Sequence, residues 1–196
     1  MEEKKLTEKE SLELITKMIQ NTRMKMEENS GMPLIIWGYV TIFTTFVVWL
    51  MVKQTGDHLW NFLWFILPLL GGVFSLFLAK KEARKPSAKT YISSVLSSIW
   101  MVLGFAGLIT SIMAFLVRFP ILFVIALLMG IGAALTGAVT KYKPLIIMGG
   151  LGIAISFSLL FVRTYDLHML IFAVDFLLMM VIPGHIMNAA ARKRNV

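Results

Sequence analysis

Asp175 is the residue in this chain whose position most strongly suggests chemistry. It stands in the stretch 171-IFAVDFLLMM-180, where the other nine residues are apolar. A carboxylate near the centre of a bilayer costs about 3 kcal/mol on insertion scales, so either function or packing must offset it. His168 lies seven residues earlier, about two helical turns, and therefore on the same face. His185 follows on the same helix, roughly 80° around it, and a row of His, Asp and His could relay protons or bind a cation.

Hydroxyl groups are the expected partners of Asp175. The chain has no Lys or Arg within its apolar segments, so an ion pair at this depth is not available. An unpaired buried carboxyl favours the neutral form, which can donate a hydrogen bond. The predicted intramembrane polar site comprises Asp175, His168, Thr44, Thr45 and Ser156. The alternative is a structural Asp175 bonded to hydroxyls and unrelated to the histidines.

Enzymatic signatures are missing. The sequence contains no HExxH, GxSxG, P-loop or Rossmann fingerprint, and one deep Asp with distant histidines is too little for a metal or hydrolytic site. It also contains no cysteine, which excludes thiolate chemistry and cysteine-ligated metals. We expect no enzyme activity, no cofactor and no metal.

The composition is that of a membrane protein. Of 196 residues 58% are hydrophobic and only 15% charged, and the mean hydropathy is +0.78. Segments of about 20 apolar residues are long enough to cross a hydrocarbon core, and within it the backbone must be helical. The sequence predicts an all-α fold with six such spans: Pro33 to Val52, Leu59 to Ala79, Ser97 to Val117, Pro120 to Thr140, Pro144 to Val162 and Leu167 to Asn188.

The distribution of basic residues predicts the orientation. Sixteen of the 19 Lys and Arg residues fall in the amino terminus, the second and fourth loops and the tail, and three fall on the other side. The positive-inside rule therefore places both termini in the cytoplasm of a multi-pass inner-membrane protein. The connection at Arg118 and Phe119 is so short that its two helices must be antiparallel neighbours, which favours three helical hairpins.

Residues 1–32 are expected to form a cytoplasmic amphipathic helix, residues 33–188 the bundle, and residues 189–196 a basic cytoplasmic tail. Gly31 and Pro33 predict the end of that first helix. Its apolar face comprises Leu12, Ile15, Ile19, Thr22 and Met26. Residues 7–30 could contact a cytoplasmic protein, a second copy or the lipid surface, or simply be solvated. Because seven acidic residues balance the basic ones, we expect no nucleic-acid partner.

Stripes of small residues predict helix packing. In the fourth span Ala126, Gly130, Ala134 and Ala138 recur every four residues, and in the fifth Gly150, Ala154 and Ser158 do the same. Small residues on one face let two backbones approach closely. Packing within the chain is the main expectation, and contact between copies in a homo-oligomer is the alternative.

The runs 21-NTRMKMEENSGMPLIIWGYVT-41 and 181-VIPGHIMN-188 resemble those of a group of small six-span bacterial inner-membrane proteins. The resemblance covers nearly the whole chain and brings no assigned activity, although an association with winged-helix regulators implies a sensing or stress role. The chain is also similar in size to the substrate-binding subunits of energy-coupling-factor transporters. It departs from them in its first span, where Pro33 to Val52 contains no alanine.

Two functions follow as hypotheses. The first is a non-enzymatic membrane-embedded subunit or sensor whose amino-terminal helix contacts a partner. The alternative is a small-solute or ion transporter, coupled to protons or ions, with its site at Asp175. The first predicts that loss of residues 1–30 abolishes function while Asp175→Asn is tolerated, and the second predicts the reverse.

Overall fold

The described part of the chain is helical apart from short connections. The computed structural model describes the backbone of residues 8–83 and 91–194; residues 1–7 of the predicted amino-terminal segment and 195–196 of the predicted tail lie outside it. The helices are α1 (Glu8–Thr55), a 3₁₀ helix (His58–Phe65), α2 (Ile66–Ala83), α3 (Tyr91–Leu116), α4 (Ile121–Thr140), α5 (Lys143–Ser158), α6 (Tyr165–Phe176), a π-helical turn (Leu177–Val181) and α7 (Ile182–Arg194).

Four helical segments are long and apolar enough to cross a membrane. They are Gly31–Thr55, Ile92–Leu116, Ile121–Thr140 and Tyr165–Ala190. Two further apolar stretches are His58–Leu70, which comprises the 3₁₀ helix and the beginning of α2, and Lys143–Ser158, which is α5. With all backbone bonds satisfied inside each helix, these segments can lie in hydrocarbon without exposing unpaired polar groups. The protein is therefore membrane-embedded and all-helical.

Helix α1 is longer than its sequence predicts. It continues without a break through Gly31 and Pro33, where the sequence predicts a helix end, so that expectation is wrong. A proline inside a helix removes one donor, a cost that packing can offset. Gly31 has a different role here, because a Cβ at this position would lie 2.6 Å from the carbonyl oxygen of Gly184 in α7. The glycine permits two helices to touch rather than ending one.

Helix α6, the π-helical turn and α7 form one continuous span. The π-helical turn ends at Val181, two residues before Pro183. Proline cannot bond to the carbonyl four residues earlier and its ring crowds that carbonyl, so the helix widens locally before it. The disturbance expected from the sequence 183-PGH-185 is thus a single wide turn, located just below Asp175.

The core lies where α1 and α5 meet this last span. Its buried apolar side chains include Leu34, Leu145, Leu159, Phe172, Phe176, Met179 and Met180. Helices α4 and α5 pack against each other most extensively, and α3 packs on α4. Most of α3 faces outward, with Met101, Phe105 and Leu116 exposed. An apolar outward surface is what a lipid environment requires of a spanning helix.

Candidate functional site

Asp175 lies in the centre of the bundle. Its side chain is fully buried, and neither carboxyl oxygen has a hydrogen-bond partner among the described residues. A Cβ on Gly152 of α5 would lie 3.1 Å from Asp175 Oδ1 and 2.9 Å from Met179 Sδ, so the carboxyl group is packed against α5. Gly152 provides the space that this carboxyl group occupies. The surroundings are close-packed.

The hydroxyl groups predicted to bind Asp175 are engaged elsewhere. Thr45 Oγ1 donates to the carbonyl of Thr41 and Ser156 Oγ to that of Ile153, both at 2.7 Å. Thr44 is also buried, and none of the three bonds to Asp175. Short hydroxyl side chains in helices commonly bond to the carbonyl three or four residues earlier. The structure therefore places these hydroxyls in the core without joining them to the acid.

The structure does not bring the His168 ring into contact with Asp175 either. Its Nδ1 lies 3.1 Å from the carbonyl oxygen of Thr164, and its Nε2 lies 3.0 Å from that of Leu159. The seven residues between His168 and Asp175 correspond to a rise of about 10 Å along the helix. His168 thus ties the beginning of α6 to the end of α5.

A polar cluster that the sequence did not reveal joins α1 to α6. Asp166 accepts a hydrogen bond from Trp49 Nε1 at 2.6 Å and forms an ion pair with Lys53 at 3.0 Å. The Lys53 ammonium group also lies 4.8 Å from the centre of the Trp49 ring, a cation–π geometry. We call this end of the bundle the Asp166 end. More than 110 residues separate the partners, so no local pattern could have predicted the contact.

The opposite end, which we call the Gly31 end, joins α1 to α7. The Tyr39 hydroxyl lies 3.1 Å from His185 Nε2, and the two rings meet edge to face. Close packing of Gly31 on Gly184 and of Gly38 on Val181 brings the two backbones together. The signal available in the sequence was the glycine spacing of seven residues, which places Gly31 and Gly38 on one face.

The small-residue stripes lie partly at the α4–α5 interface. Ala126 and Gly130 are buried, and Ala134 touches Gly149, whereas Ala138 is exposed. On α5 the residue that approaches α4 closely is Gly149, because a Cβ added here would lie 2.5 Å from the Ala134 backbone nitrogen. A Cβ added at Gly150 would meet no atom within 4 Å. Ala154 is exposed, and the Ser158 hydroxyl donates to the carbonyl of Ile155. The stripe on α5 thus faces away from α4.

A third long-range polar contact anchors α3. Trp100 Nε1 donates to Thr136 Oγ1 at 3.1 Å, and Thr136 in turn donates to the carbonyl of Gly132 at 2.7 Å. The Trp100 ring covers Gly132, where a Cβ would lie 3.2 Å from the ring. This bond fixes the position of α3 along α4.

No family model, no curated protein and no solved structure matches the chain. Among the side chains that the structure describes, which exclude those of residues 8–30, no three of His, Asp or Glu are grouped so that they could hold a metal ion. The geometry of the bundle and of α1 is therefore what bears on function.

Proposed function

We propose that the protein is a non-enzymatic, membrane-embedded subunit or sensor whose amino-terminal helix contacts a cytoplasmic protein. The observation that carries this proposal is the continuity of α1, which runs for 48 residues. Its apolar segment accounts for Gly31–Thr55, which leaves 23 residues, Glu8 to Ser30, beyond the span. At 1.5 Å per residue this extension is about 35 Å long, enough to reach a partner well outside the headgroups.

The packing of α1 supports a role in coupling. At the Gly31 end it touches α7, at the Asp166 end it is bonded to α6, and between them Gly38 packs on the π-helical turn. Because the apolar segment Gly31–Thr55 is held near both of its ends, displacing it would move the span that carries Asp175. A force on residues 8–30, or a protein bound to them, would therefore act on the interior of the bundle through α1.

The proposed topology has six spans, arranged as three antiparallel hairpins, in an inner membrane with both termini cytoplasmic. The further apolar stretches His58–Leu70 and Lys143–Ser158 would supply the remaining two of the six spans. Helix α5 has 16 residues, a length of about 24 Å, and Leu159 to Val162 extend it toward the interface. The excess of basic residues around the amino terminus, the α2–α3 connection and the tail supports the orientation.

Affinity purification from the membranes of the producing cell tests the proposal. The bait carries a carboxy-terminal tag, and the variants are a deletion of residues 8–30 and Asp175→Asn. We expect wild type and Asp175→Asn to retain the same stoichiometric protein, and the deletion to lose it while still reaching the membrane. Equal recovery with the deletion, or only copies of the chain itself, would sink the proposal.

Transport of a small solute or ion is the second candidate, and it is favoured by one observation. Asp175 carries two buried oxygens without partners among the described residues, directly above a π-helical turn, and such turns are frequent at functional sites. Its close packing against Gly152 and Met179 favours a structural role instead. Proton flux into proteoliposomes distinguishes the two: a flux that Asp175→Asn abolishes and the deletion of residues 8–30 spares would establish transport.

A further inference from the structure

An open cleft of about 350 Å³ lies at the Asp166 end, between the beginning of α4 and the α5–α6 connection. Apolar side chains form its walls, among them Phe119, Ile121, Phe123 and Leu159. Arg163 and Tyr165 are its exposed polar side chains, and His168 lies at its border. The volume is within the range of small-ligand sites, which are mostly apolar with few polar groups.

Arg163 is the one Lys, Arg, Asp or Glu residue among the described residues that line the cleft, and the Asp166 carboxylate outside it acts on the Tyr165 hydroxyl. Arg163 has no ion-pair or hydrogen-bond partner among the described residues, and none of the residues lining the cleft is acidic. The nearest acid along the chain is Asp166, whose two oxygens are held by Trp49 and Lys53. The guanidinium group therefore remains available, and its planar set of donors suits a carboxylate or a phosphate.

The wall of the cleft is fixed before any ligand arrives. Both ring nitrogens of His168 face backbone carbonyl oxygens, of Thr164 and Leu159, so this ring ties together the two helices that border the cleft. The Tyr165 hydroxyl has no hydrogen-bond partner in the described part of the chain and is available beside Arg163. A ligand would thus meet a preformed apolar wall with a cation and a hydroxyl at its rim.

We propose that this cleft binds an amphipathic anion, with the apolar tail against α4 and the carboxylate or phosphate at Arg163 and Tyr165. Such a molecule is either a lipid of the surrounding bilayer or a free amphiphile. The proposal goes beyond the partner contact of the amino-terminal helix and does not depend on it. Tyr165 precedes Asp166, so a ligand here would adjoin the contact between α1 and α6.

Calorimetric titration with decyl phosphate tests the proposal, with the full chain in phosphatidylcholine nanodiscs and empty nanodiscs as reference. We expect saturable binding at one site, weakened about tenfold by Arg163→Gln because one charge-assisted contact is lost. Arg118→Gln is the matched control, since Arg118 is exposed near the same connections but does not line the cleft. It should bind as the wild type does, whereas Ile121→Trp should abolish binding by filling the cleft.

Nanodiscs that contain phosphatidylglycerol distinguish a bilayer lipid from a free amphiphile as the occupant of the cleft. If a bilayer lipid is the occupant, phosphatidylglycerol remains bound in native mass spectrometry and blocks decyl phosphate; if the ligand is a free amphiphile, decyl phosphate binds equally in both lipids. Equal binding of decanol would contradict the proposal, as would unchanged affinity in Arg163→Gln or the absence of saturable binding. Thermal unfolding of each variant verifies that it is folded, and Arg163→Lys should restore part of the affinity.

Discussion

At Asp175 both carboxyl oxygens are buried against Gly152 and Met179, and no described residue donates a hydrogen bond to them. Thr136 is also buried, but it accepts a bond from Trp100 and donates one to Gly132. The two residues show that burial of a polar group does not by itself measure its contribution to stability. What matters is whether its removal leaves another group unsatisfied.

Asp175→Asn should change the free energy of unfolding by less than about 1 kcal/mol, because no hydrogen bond or ion pair is lost. Thr136→Val has nearly the same shape as the wild type but leaves the Trp100 N–H without its acceptor, at a cost of about 1–3 kcal/mol. Unfolding titrations in mixed micelles measure both. A larger loss in Asp175→Asn than in Thr136→Val would mean that the carboxylate has a partner and carries function.

From the sequence Asp175 could be placed within an apolar span, and the structure has it buried in Tyr165–Ala190, but the contacts of its carboxyl group could not be predicted. A single acid in an apolar run must lie deep if the run crosses a membrane. Its supposed partners Thr45 and Ser156 bond to carbonyl groups of their own helices, a choice that spacing along another helix cannot reveal. His168 likewise binds the backbone of residues near it in the chain.

Among the elements, α5 shows why the buried face of a membrane helix is hard to predict. It is apolar on all sides, so hydrophobic periodicity does not indicate which side meets protein and which meets lipid. Gly149 and Gly150 are adjacent, and a stripe can be drawn through either. Only the close approach of α4 to Gly149 distinguishes them.

Gly149→Ala should destabilise the protein by about 1–3 kcal/mol, since its Cβ would lie against the backbone of Ala133 and Ala134. Gly150→Ala is the matched control: it meets no atom within 4 Å and should be neutral or stabilising by about 0.5–1 kcal/mol. The same unfolding titrations compare them. Equal effects, or the reverse order, would show that the face of α5 is assigned incorrectly.

The contact between α1 and α7 depends on glycine in the same way. Gly31→Ala should cost about 1–3 kcal/mol, because its Cβ would lie 2.6 Å from the Gly184 carbonyl oxygen. Gly104→Ala in α3 serves as the control, because its Cβ would meet no atom within 4 Å. A photo-crosslinker at Tyr39 should join α1 to the region of His185 in wild type and in Gly104→Ala, and less so in Gly31→Ala. Unchanged crosslinking in Gly31→Ala would contradict the role of this glycine.

In the molecule as a whole, α1 joins residues 8–30 to the bundle, because its apolar segment Gly31–Thr55 contacts α6 and α7. The apolar segments, and hence a membrane-embedded helical protein, could be predicted from composition and length alone. The continuity of α1 could not, because Gly31 and Pro33 are the residues that usually end a helix. Here a tertiary contact with α7 determines the role of the glycine, and local rules do not include such contacts.

The distance between the two ends of α1 tests the central claim most directly. The chain has no cysteine, so spin labels can be attached at Glu10→Cys and Gln54→Cys without further changes. A continuous helix predicts one narrow distance near 66 Å in double electron–electron resonance, from 44 residues at about 1.5 Å each. The control pair Met32→Cys and Gln54→Cys should give about 33 Å. A shorter or broad distribution for the long pair, with the control unchanged, would place a break at Gly31–Pro33 and contradict the account.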